Sequence, residues 1–313
     1  MNDPNRRFIV LGPQQEYRTL RTALERIDVD GTVALITAGW EVDELDDLEI
    51  RQAIPNDVVN LRLFERSELL FDADKQLIQR LRDRQDELRY LRDAYRARLD
   101  YALSAARQMI QLHRDSDYDL EPEVESAIDQ IRQLDKQYFV RTSQVCDQYD
   151  VELQVENRPQ VLMHREQLLK TLEQCAALVI SGGHAAIILN RLKIFGILEL
   201  APKMPVIACS GGAMALSDQI VFFHDSPPQG AGNPEVLRAG MGVLPGVLPL
   251  PDASNRLDLE DQNRVELFAR RFSQYLCLEL NEQTLLEQHQ GKWQLMNGTR
   301  QLGDNGKLWE LSL

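Results

Sequence analysis

The apolar positions of this chain change period twice. Over residues 1–64 short continuous apolar runs alternate with amphipathic stretches: FIVLG (8–12), TVALITAG (32–39) and DVVNLRLF (57–64) read as strands, EYRTLRTALERI (16–27) and DDLEIRQAI (46–54) as helices. Runs that stay apolar without alternating are buried on both faces, which predicts a parallel sheet covered by helices. From 65 to 158 the period turns helical. Leu77, Leu81, Leu88, Leu91, Tyr95, Leu99, Ala102, Ala106 and Met109 form one seam, HRDSDYDLEPE (113–123) interrupts it, and Val124, Ile128, Ile131, Leu134, Tyr138, Val145 and Tyr149 form a second. Two long helices joined by a short break predict an antiparallel hairpin. From 159 to 313 alternation returns: REQLLKTLEQ is helical, AALVISGG (176–183) a strand, HAAIILNRL helical and PVIACSGG a strand running into a turn. DLEDQNRVELFARRF then reads as a helix, YLCLEL (275–280) as a strand, and the tail as short strands joined by Asn/Gly turns.

The expected architecture is a mostly parallel α/β sheet flanked by helices, its halves at 1–64 and 159–313, with a long antiparallel α-helical hairpin inserted at 65–158. At 1.5 Å per residue the hairpin is ~50–60 Å long. That length predicts an arm reaching beyond a compact domain, suited to homo-oligomerisation or a protein partner; the alternative is that it packs against its host.

Composition narrows the function. The chain has 313 residues, 43% apolar and 27% charged, and no apolar run near the ~18 residues of a membrane helix. MNDPNRRFIVLGPQ lacks a signal-type apolar core, so a cytoplasmic location is expected. The net charge of −14, with a dense patch at Glu41, Asp43, Glu44, Asp46, Asp47 and Glu49, opposes binding to nucleic acid or anionic lipid. Cys146, Cys175, Cys209 and Cys277 have no C-x-x-C spacing, which predicts reduced thiols and no zinc site. The acidic group Asp252, Asp258, Glu260 and Asp261 fits no calcium loop and reads as a solvated face. G-x-G pieces at 240–246 lack dinucleotide-site context, so neither metal nor cofactor is expected.

The chemistry concentrates at PVIACSGGAMAL (205–216). A strand that turns sharply into a helix can present a nucleophile at the sheet's carboxyl edge. Ala208-Cys209-Ser210-Gly211-Gly212 matches G-x-S-x-G with alanine first; shifting to Cys209 would put β-branched Ile207 in the crowded slot. Ser210 therefore fits the nucleophile position, and a glycine-rich turn that holds an anion at a helix start remains the alternative. SGGHAAIIL (181–189) has the same form, so the amides of Gly183 and Gly211 could make an oxyanion hole.

SGGHAAIIL, VIACSGGAMAL, GMGVLPGVL (240–248) and LELNEQTLL (278–286), in that order, resemble the peptidase S51 family, which includes dipeptidase E and the cyanophycinases. The resemblance spans about 150 C-terminal residues, agrees more loosely at FIVLG and VALITAG, and does not extend to the hairpin. It implies a class I glutamine amidotransferase-like fold and a Ser-His-acid hydrolase cleaving next to aspartate. Ser210 would be the nucleophile, Asp225 the acid, and Gly183 and Gly211 the oxyanion donors. The family's Q-H-F-x-x-R is absent: anchored on Arg256, Asp252 stands where histidine is expected. A carboxylate is a far weaker base than imidazole. His184, in place of the family's Asn after the glycine pair, and His224, beside Asp225, are the substitute bases, whereas His113, His164 and His289 lie far from these motifs. Two functions follow: a hydrolase of small acidic or isoaspartyl peptides with an altered base, or a non-catalytic binding or assembly protein working through its hairpin. A Cys209-dependent amidotransferase is disfavoured by register and by the missing downstream H-x-E.

Overall fold

The computed structural model describes residues 5–14, 18–223, 232–297 and 299–311. The first half runs β1 (Phe8–Leu11), α1 (Arg18–Arg26), β2 (Thr32–Ile36), α2 (Leu48–Ala53) and β3 (Val58–Asn60). Helix α3 (Leu63–Ala73) then leads into α4 (Lys75–Asp115) and α5 (Glu121–Leu153). The chain returns through α6 (Pro159–Leu172), β4 (Cys175–Ile180), α7 (Ala185–Phe195), α8 (Ile197–Leu200), β5 (Val206–Cys209) and α9 (Gly211–Leu216). Strands β6 (Gln219–Phe222), β7 (Glu235–Ala239) and β8 (Val247–Pro251) follow, then α10 (Ala253–Arg256) and α11 (Gln262–Arg271). The chain closes with β9 (Leu276–Leu280), β10 (Leu285–His289), β11 (Lys292–Asn297), β12 (Arg300–Leu302) and β13 (Leu308–Glu310).

The central sheet has the order β11-β10-β1-β5-β4-β2-β3, parallel from β1 to β3, with β10 and β11 antiparallel at one edge. Strands from the two halves of the sequence thus interleave in one sheet. Alternate residues of each strand enter different cores, as the two-residue pleat requires. Ile9, Leu11, Val33, Leu35, Val179, Ile207 and Cys209 face α1 and α2, while Phe8, Val10, Ala34, Ile36, Leu178, Ile180 and Ala208 face the larger core. A second sheet, β13-β12-β9-β8, takes YLCLEL away from the central one. Strand β8 reads VLPLP and escapes period-based recognition because of Pro249 and Pro251; it is an edge strand, where proline costs no ladder bond.

Two expectations change. The third strand stops at Asn60, and Leu63 and Phe64 open α3 instead of closing a strand. The buried Glu44 carboxylate causes this by accepting from the Phe64 and Glu65 amides, both at 2.9 Å, at the start of the helix. Asp47 is likewise buried, bound by Arg51 and Asn60, so part of the acidic patch is structural rather than surface.

The hairpin does not project. It lies along the body, and its seam belongs to the same hydrophobic core as β4, β5 and α7. Polar ties run along its length: Arg158 to Asp74 at its base, Arg96 to Glu235 at mid-length, and Arg114 to Glu266 near its tip. The centre is held by Arg271, whose Nε and Nη2 donate to the two Asp135 oxygens at 2.6 and 2.7 Å. Arg271 Nη2 also donates to Tyr95 Oη, which donates to Asp135 Oδ1 at 2.8 Å and accepts from the Val236 amide. The seam residues share one apolar core with the body, so docking the hairpin there adds apolar burial to what its two helices gain from each other.

Candidate active site

Strand β5 ends at Cys209, and the next residue turns the chain. Ser210 has φ 46° and ψ −112°, a region that side-chain-bearing residues rarely enter, and α9 starts immediately after it. The Ser210 amide is fixed by Leu11 O of the neighbouring strand at 3.0 Å, and its carbonyl accepts from Met214 at 3.1 Å. The sharp turn requires small neighbours. A Cβ on Gly211 would fall 2.2 Å from the Gly183 carbonyl oxygen, so the two glycine turns pack backbone to backbone. Gly183 itself has φ +102°, open to glycine alone at little cost.

The pleat places Cys209 and Ser210 in different surroundings. Cys209 is buried among Ile207, Leu11 and the α1 side of the sheet, and burial pushes its thiol up to about 12. Ser210, half-buried, lines a cavity of ≈ 990 Å³. Gly183, His184 and Gly211 line the same cavity. Neither the Gly183 nor the Gly211 amide donates to another described residue, which leaves both available to an oxyanion.

The remaining sequence candidates separate. His184, exposed, lines the same cavity as Ser210, and among the described residues no other imidazole does; its ring is edge-on to Phe222 at 6.5 Å. Among the described residues no imidazole is hydrogen-bonded to the Ser210 hydroxyl. Asp252, in a left-handed turn, accepts from Asn255 at 2.7 Å and pairs with Arg256 at 3.8 Å; its neighbours Pro251 and Arg256 line the cavity and Asp252 does not. His224 and Asp225 lie outside the described residues.

The hairpin contributes to the same cavity: Arg92, Arg96, Leu99 and Asp100 of α4 line it together with Ser210. Arg96 makes two 2.6 Å contacts with Glu235, and Asp100 accepts from Asn233 at 2.8 Å. Sequence reasoning missed this wall. Spacing places 92, 96, 99 and 100 on one helix face, but only the docked position of α4 turns that face toward the elbow.

The sequence matches no protein-family model and no curated protein. Among solved structures, a peptidase from an acI-B1 Actinobacterium is similar in fold. It is 11% identical, with 96% of this chain and 91% of that chain covered, and the TM-score is 0.49. A likeness of that degree bears on neither activity nor site residues.

Proposed function

We propose that the cleft is the active site of a Ser210-dependent hydrolase of the peptidase S51 kind, acting on short acidic peptides. The observation that carries this reading is the strained backbone of Ser210 at the mouth of a cavity. Such strain costs about 1–3 kcal/mol and persists where it presents a reacting group. In this reading Ser210 Oγ attacks the peptide carbonyl carbon, and the Gly183 and Gly211 amides receive the oxyanion. His184 takes the hydroxyl proton and returns it to the leaving amine, and water then releases the acyl group by the same path. Asp225, by its place in the S51 pattern, is the acid proposed to orient the base.

The separation of Asp252 from the cavity and a Ser210 hydroxyl with no imidazole partner among the described residues favour a second reading, a non-catalytic protein that binds its ligand in the cleft. The exposed Tyr90, Tyr101 and Tyr118 along α4 and its connection to α5 make the hairpin's outer face the surface proposed for self-association or a protein partner.

Labelling with a fluorophosphonate tests the first reading. The wild type and Cys209→Ala should form the adduct, Ser210→Ala should not, and His184→Ala should label about 10²–10⁴-fold more slowly, the usual loss of a general base. A wild type that forms no adduct would establish the binding reading instead.

A further inference from the structure

We infer that Arg92, supplied by the inserted hairpin, is the specificity-determining residue of the Ser210 cleft and receives the aspartyl side-chain carboxylate of the bound peptide. This rests on the reading of the cleft as a peptide site and adds the group that selects the peptide.

The charges on the cavity wall support it. Among the described residues three arginines, Arg92, Arg96 and Arg256, line the cavity against two carboxylates, Asp100 and Glu235, in a chain whose net charge is −14. The cleft is therefore locally cationic on an acidic protein, which draws anions inward. Most of these charges are committed. Both contacts of Arg96 go to Glu235, which is 5% exposed; Asp100 is held by Asn233; and Arg256 is paired with Asp252. Arg92 differs. It has no hydrogen-bond or ion-pair partner among the described residues, and its Nε is closed off from solvent without an acceptor. The terminal Nη groups of its guanidinium are thus the donors left for a ligand in the cavity that Arg92 lines.

The chemistry of the acceptor follows from the guanidinium. Its planar fork offers two parallel N–H donors, which match the two oxygens of a carboxylate. A cavity of ≈ 990 Å³ lined by both Arg92 and Ser210 leaves room for a dipeptide. The hairpin thus completes the site: α4 delivers the charge that the sheet edge lacks.

Binding measured by calorimetry on Ser210→Ala protein tests the inference without requiring a nucleophile. The probes are aspartyl-alanine and asparaginyl-alanine, which differ by one charge. We expect the aspartyl peptide to bind at least about tenfold tighter, and Arg92→Met to abolish that preference while leaving the asparaginyl affinity and the melting temperature unchanged. Arg92→Lys should keep part of the preference, because the charge remains and the fork is lost. Arg89→Met, at an exposed site paired with Asp86, should have no effect. Equal binding of the two peptides by the parent, no binding of either, or equal weakening of both by Arg92→Met would overturn the inference. None of these results depends on fluorophosphonate labelling, so the inference and the catalytic reading can fail separately.

Discussion

Arg271 of α11 grips Asp135 of α5 with two hydrogen bonds, 2.6 and 2.7 Å long, at a site where the arginine is 1% exposed. The pair fastens the hairpin to the domain that carries Ser210. Arg271→Met leaves Asp135 buried with its partner gone and removes the donors to Tyr95 Oη and Pro234 O. It should cost about 3–5 kcal/mol in urea unfolding, and the double variant Arg271→Met with Asp135→Leu should recover much of that loss. A single variant as stable as the wild type would mean that the pair does not hold the hairpin.

The backbone at Ser210 makes a prediction that reverses the usual ranking of alanine over glycine. At φ 46° and ψ −112° any Cβ is strained, so Ser210→Gly should be about 1 kcal/mol more stable than Ser210→Ala. Chemical denaturation of the two variants compares them directly; equal midpoints would show that the turn stores no strain.

Gly211 should tolerate nothing larger. A Cβ there would lie 2.2 Å from the Gly183 carbonyl oxygen, backbone that cannot yield as a side chain can. Gly211→Ala should cost on the order of 3 kcal/mol and close the cleft. At Gly246, where φ is +70° and nothing lies within 4 Å, the same substitution should cost only about 1–2 kcal/mol. Melting curves of both proteins measure the difference.

Acidification should act through His164. Burial, and after it the Arg66 guanidinium, holds this imidazole below its ordinary value of 6.5. Arg66 donates to Nδ1 at 3.1 Å, so that nitrogen cannot also take a proton. A folded-state value lowered in this way gives stability that is complete above the unfolded value and is lost as pH falls below it toward the folded value. Between about pH 7 and pH 5 the melting temperature of the wild type should therefore fall more steeply than that of His164→Gln, and parallel curves would rule out this source.

The thiols should separate by burial. Cys209 and Cys277 are both buried and both pushed up to about 12, Cys277 by burial and then by Asp304. Iodoacetamide near pH 8 should alkylate the half-buried Cys146 first and reach Cys209 and Cys277 only on unfolding, as peptide mass mapping can follow.

Much of this protein is legible along the chain. FIVLG, TVALITAG, AALVISGG and PVIACSGG became β1, β2, β4 and β5 of one parallel sheet, and both seams became the hairpin. At the site, the crowding of the turn and the motifs around it pointed to Ser210 rather than Cys209 as the turn residue, and the positive φ falls at Ser210. Other parts were not readable. Glu44 stands in an acidic run that resembles a solvated surface, and its role depends on Phe64 and Glu65, twenty residues onward. Strand β8 was hidden by its prolines, because a parallel edge position is a property of the sheet and not of the segment.

The sequence by itself determined the elements and the elbow, since period, glycine placement and turn chemistry act over a few residues. Where the hairpin rests was decided only in three dimensions. Its apolar seam could have faced another chain; the buried Arg271, Asp135 and Tyr95 network and the shared core turned it onto its own domain. That docking brought Arg92 and Arg96 into the lining of one cavity with Ser210, residues more than a hundred positions apart. No local pattern encodes such a meeting, because it follows from how helices and sheet together bury the most apolar surface.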